Sequence, residues 1–87
     1  MLNQVILVGR VDSLEEVVVD NGTNAVVIYF DTGYEVLQVF TRDEIAVTAL
    51  EHLMKGSLIA IKAHLHMSPD GLIVVADRLS QLDGKGI

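Results

Sequence analysis

The sequence predicts an all-β fold, a small closed barrel with one α-helix set before the last strands. Turn signals recur at short intervals, at Gly9, Asn21-Gly22, Asp31-Thr32-Gly33, Lys55-Gly56 and Pro69-Asp70-Gly71. The stretches between them are rich in β-branched residues, the pattern of an all-β barrel or sandwich. One segment alone leaves the period of two, and its apolar spacing is that of a helix.

Strand segments are predicted over residues 2–11, 14–19, 25–31 and 34–40. Asn21-Gly22 tolerates the positive φ angles of a tight turn, so the segments around it should form a hairpin. Residues 25–30, Ala-Val-Val-Ile-Tyr-Phe, lack alternation, as expected when both faces are covered. One cover is the barrel interior; the other is a subunit interface or a further layer of the same chain. The helix is predicted over residues 43–54, where Ile45, Ala46, Ala49, Leu50, Leu53 and Met54 recur at helical spacing. Asp43 reads as its cap, Asp43 and Glu44 suit the positive end of its dipole, and Gly56 offers a left-handed stop. Two more strand segments follow, residues 57–67 and 72–79. A five-stranded oligonucleotide-binding barrel, the OB-fold, carries its helix late in the strand order and nearly closes its sheet, although other small barrels share this composition.

With 87 residues, 51% of them hydrophobic, the chain is expected to make one domain, residues 1–82, with a short flexible tail, residues 83–87. Disorder does not fit so apolar a chain. The longest apolar runs fall far short of the ~18 residues that cross a bilayer, and the first residues show no secretory leader. Asn21-Gly22-Thr23 spells a glycosylation triplet, which has meaning only in a secreted protein. A cytoplasmic protein without membrane association is expected. No cysteine is present, which removes disulfides, thiolate nucleophiles and cysteine zinc sites. Six Lys and Arg against twelve Asp and Glu give a net charge of −6, opposite to the basic balance of most nucleic-acid binders.

Enzyme chemistry finds little footing. The neighbouring carboxylates Glu15-Glu16 and Asp43-Glu44 splay apart on a strand or a helix, whereas acid–base pairs must converge. Gly84-Lys85-Gly86 opens no helix and is no phosphate loop, and no serine stands in a nucleophile elbow. No enzymatic activity and no cofactor are expected.

Several stretches together resemble the bacterial single-stranded DNA-binding protein family, including its primosomal replication protein N branch. Asn3-Gln4-Val5-Ile6-Leu7-Val8-Gly9-Arg10 is similar to the opening strand of that family, and Asn21-Gly22 sits at its hairpin. Tyr34-Glu35-Val36-Leu37-Gln38-Val39-Phe40 resembles its strand with an aromatic residue and a later Phe, and Glu51-His52-Leu53-Met54-Lys55-Gly56-Ser57 its helix end and Lys-Gly-Ser turn. The resemblance spans residues 3–82 and implies an OB-fold. It also implies sequence-nonspecific binding of single-stranded DNA in replication, repair or replication restart, by a homo-oligomer, dimer or tetramer, with replication or restart proteins as further partners. One departure is the tight turn Asp31-Thr32-Gly33, where the family carries a long hairpin that embraces DNA. The short loop and the acidic charge favour a second reading, a primosome or other protein-interaction subunit with weak or no DNA affinity.

On an extended strand Tyr34, Val36, Gln38 and Phe40 share one face. The resemblance implies that Tyr34 and Phe40 stack on bases, with Gln38 as a polar base contact; the pattern alone allows both rings to be core. In the segment after the helix, Ile59, Ile61, Ala63, Leu65 and Met67 form an apolar face, and Lys62, His64 and His66 share the other. That second face is a plain solvated surface or a strip that contacts phosphates and bases. Two histidines also suggest a metal, but no third ligand is evident. Arg10, Lys55 and Lys62 are the candidate phosphate contacts among six cations, the others being Arg42, Arg78 and Lys85. Three such contacts give a salt slope of about −2, a weak electrostatic contribution.

Overall fold

A computed structural model describes residues 1–18 and 24–83. In chain order the elements are β1 (Val5–Val18), β2 (Asn24–Asp31), β3 (Val36–Arg42), α1 (Asp43–His52), β4 (Leu58–Ser68) and β5 (Gly71–Gln81). The strands close into one barrel in the order β1-β2-β3-β5-β4, with β4 returning to β1. Every pairing is antiparallel except β3 with β5, a short parallel seam of Val39 with Val74 and Phe40 with Val75. This is the five-stranded OB-fold barrel with its helix between β3 and β4.

The first two predicted segments are one strand. Residues Val5 to Arg10 of β1 pair with β4, and Arg10 to Val18 pair with β2, so this strand alone joins two sides of the barrel. Asp12-Ser13, read from sequence as a break, is instead part of a register shift between Val11 and Ser13. A bulge there adds the bend and twist that closure requires. Gly9 serves the same corner: a Cβ on it would lie 2.3 Å from the Asp31 carbonyl oxygen and 2.9 Å from the Phe30 ring.

Inward positions alternate as the period of two demands. Val11, Val26, Ile28, Phe30, Val39, Ile59, Ile61, Ala63 and Ala76 fill the barrel, and Ala46 and Ala49 of α1, with Leu53 just past its end, join the same core. Thr41 is buried among them, its hydroxyl donating to the Val26 carbonyl at 2.9 Å. On β2 the outward Val27 is buried as well, between its ladder partners Glu15 and Phe40. Ala25 and Tyr29, on the same outward face, are half-buried. Exposed apolar residues lie on other strands, Ile6 and Val8 of β1 among them.

The predicted apolar face of β4 is core only as far as Ala63; Leu65 and Met67 are exposed. The reason is topological. Val5 with Ala63 is the last rung that β4 shares with β1, and Val39 with Val74 the first that β5 shares with β3. Beyond those rungs the β4–β5 hairpin pairs only with itself, as far as Ser68 with Gly71. Asn3 adds one tie, its side-chain amide donating to the Leu65 carbonyl and its oxygen accepting from the Leu65 N–H.

The helix is shorter than its periodicity, ending at His52 with Leu53 already extended. Its acidic first turn is as expected, but Asp43 is no cap: Arg42 holds the cap position without a side-chain bond, and Asp43 takes a left-handed φ of 55°. Gly56 is left-handed, at φ 91°, but it serves the following turn. There Ser57 N–H donates to the Met54 carbonyl, and Gly56 N–H to the Val11 carbonyl. The Asp31-Thr32-Gly33 and Pro69-Asp70-Gly71 turns stand where the sequence places them. Asp31 accepts from Gly33 N–H, and the Ser68 hydroxyl accepts from Asp70 N–H. The Asn21-Gly22 turn and residues 84–87 of the tail lie outside the described residues. Among the described residues no helix is long and apolar enough to cross a membrane.

Candidate nucleic-acid interface

Register brings the outward side chains of four strands into rows. Phe40 on β3 has Val27 of β2 on one side and Val75 of β5 on the other, and Val75 pairs with His64 of β4. Beside this row, Gln38 pairs with Tyr29, and Ile73 pairs with His66. The outer face of β2-β3-β5-β4 therefore collects Phe40 with both histidines. A depression of about 280 Å³ opens there, lined by Phe40, Arg42, His64, His66 and Ile73 among others. Phe40 is partly buried and outside the core; Phe30 is the ring the core uses.

Other predicted residues fall elsewhere. Tyr34 does not share the face of Phe40, because β3 begins only at Val36. It stands in the turn that Thr32 closes with Glu35, and is 98% exposed. Gln38 is exposed on the Phe40 face. Arg10 donates to the Gly56 carbonyl at 2.8 Å, which places it beside the exposed Lys55 turn. Lys62 is exposed on β4 between Ile6 of β1 and Arg78 of β5. None of Arg10, Lys55 and Lys62 lines the Phe40 depression.

Three residues of this face escaped the sequence reading. Arg42 follows Gln38 and Phe40 at the strand period and lines the depression, so its signal was present in the alternation. Tyr29, the ladder partner of Gln38, donates its hydroxyl to Glu15 at 2.7 Å. That hydrogen bond, with some burial and the carboxylate charge, raises the Tyr29 hydroxyl above its ordinary 10.0. Asp77 accepts from His64 Nδ1 with both oxygens at 2.9 Å. Its position depends on a register shift in β5 that no local pattern announces. Among the described residues no cluster of three or more His, Asp or Glu side chains is placed to hold a metal ion.

No family model matches the sequence, and no curated protein matches it. Solved structures do. The single-stranded DNA-binding protein of Thermus aquaticus is 28% identical with a TM-score of 0.79, over 93% of this chain and 40% of that one. This chain thus spans less than half the length of that protein. The mitochondrial single-stranded DNA-binding protein Rim1 of S. cerevisiae is 18% identical with a TM-score of 0.77, over 92% of this chain and 93% of its own. A small single-stranded DNA-binding protein of Streptomyces coelicolor is 16% identical with a TM-score of 0.74, over 99% of both chains. The chain is an oligonucleotide-binding-fold barrel whose structural neighbours are bacterial and mitochondrial single-stranded DNA-binding proteins.

Proposed function

We propose that the protein binds single-stranded DNA without sequence preference, in replication, repair or replication restart, as a homo-oligomer in the cytoplasm and without catalysis. The observation that carries this reading is the outward Phe40 in one depression with Arg42, His64 and His66. An aromatic platform bordered by cationic or protonatable groups suits a base and its phosphate, and accepts any base because every base has a π-face. Tyr34, fully open at the β2–β3 turn, is a second stacking ring, with Gln38 a polar contact and Arg10, Lys55 and Lys62 peripheral phosphate contacts. So few cations make one barrel a weak binder, and assembly raises the effective concentration of the second contact. Ile6 and Val8, exposed on the outer face of β1, are the surface offered for that assembly. Titration with a thymidine homopolymer at low salt tests the reading, because electrostatic affinity is greatest there. Absence of binding at high micromolar protein would favour the protein-interaction subunit, which the net charge of −6 supports.

A further inference from the structure

We propose that His64, held by Asp77, is a proton-linked phosphate contact on this face, so that binding of a single-stranded phosphodiester takes up a proton there. The proposal rests on the DNA-binding reading and adds its regulation. It starts from the bulge in β5. Lys62 pairs with Arg78 and Ala63 with Ala76, which leaves Asp77 as the extra residue and lets Asp77 and Arg78 both be exposed. The bulge thereby sets the Asp77 carboxylate against the ring of His64.

Both Asp77 oxygens lie 2.9 Å from His64 Nδ1. An ionised carboxylate only accepts, so the ring proton must be on Nδ1. The neutral ring then presents Nε2 as a lone pair, which repels a phosphate oxygen. Protonation turns the same atom into an N–H donor with a positive charge, while Nδ1–H stays on Asp77 and the ring keeps its orientation. His64 lines both the Phe40 depression and an adjoining one that holds Arg42, Asp43, Glu44 and Asp77.

The surrounding charges make the proton decisive. Arg42, Asp43 and Glu44 face His64 from the junction of β3 and α1, Asp77 and Arg78 come from β5, and Lys62 and His66 stand beside it on β4. With the imidazoles neutral, three positive groups meet three negative ones. One proton on His64 tips the balance toward an anion.

The test is titration with a thymidine homopolymer, whose bases do not titrate in the range used, at about pH 8 and about pH 5.5 over a series of salt concentrations. The protein is expected to bind more tightly at the lower pH, with a salt slope steeper by about 0.7, the signature of one added phosphate contact. At ~0.1 M salt that contact corresponds to about fivefold in affinity. His64→Gln should lose the increment and His66→Gln should keep it. Asp77→Asn, which removes the charge and the anchor of the ring, should narrow the difference between the two pH values; thermal melts confirm that each variant is folded. An increment that survives in His64→Gln, or disappears only in His66→Gln, overturns the proposal and leaves DNA binding standing. Absence of binding at either pH and lowest salt overturns both.

Discussion

Replacing Phe40 by alanine separates a binding platform from a packing residue. Phe40 lies on the outer face of β3 between Val27 and Val75, partly buried and outside the core. Truncation there leaves an open notch and no closed cavity, so the stability loss is mainly the transfer term. For a fully buried apolar side chain that term is about 1.5–3 kcal/mol, and partial exposure reduces it to about 1–2 kcal/mol. A domain of this size should then melt roughly 4–16 °C lower and remain folded. Binding should suffer separately, by the roughly 1–3 kcal/mol that a stacked base contributes, or about 5- to 150-fold in affinity. Phe40→Leu, which keeps the apolar contact and removes the π-face, should recover much of the stability and little of the binding. The assay is one preparation of each variant, melted and then titrated with a thymidine homopolymer at low salt. A folded Phe40→Ala protein with unchanged affinity would refute the stacking role.

Three further outcomes are expected. The chain has no tryptophan and two tyrosines, so DNA should quench tyrosine emission, and Tyr34→Phe should remove most of the quench; a quench that persists would assign the signal to Tyr29, the neighbour of Gln38. In a Tyr34→Phe background the remaining phenol, Tyr29, should ionise above its ordinary 10.0, and Glu15→Gln should bring it down. Because the folded value is raised, the Tyr29–Glu15 contribution to stability is present in full below about pH 10 and fades as pH rises through the folded value; absorbance titration that finds no effect of Glu15→Gln contradicts this. Gly9→Ala forces a Cβ to 2.3 Å from the Asp31 carbonyl oxygen and should cost about 1–3 kcal/mol, read as a lower melting temperature; an unchanged melt would mean that the β1–β2 corner gives way freely.

Some of this was legible residue by residue. Period-two alternation gave the segment after the helix an apolar face, and its first three residues, Ile59, Ile61 and Ala63, are buried. Such alternation is local, and burial follows from it wherever both sides of the sheet are as expected. The same rule placed Leu65 and Met67 in the core, where the structure exposes them, because their burial depends on whether another strand lies opposite. Asp12-Ser13 read as a break for a related reason: a bulge and a turn use the same polar residues, and only the partner strand tells them apart.

Dihedral preference and spacing over a few residues carry the all-β class, the helix between β3 and β4, most of the turns and the buried face of β4 as far as Ala63. It takes the folded barrel to make β1 one bent strand serving two sides, to stand Tyr34 off the strand while Phe40 meets His64 and His66 across β5, and to set Asp77 on His64. Those contacts join residues up to tens of positions apart through the register of a closed sheet. Closure is a property of all five strands together, and no short window of sequence contains it.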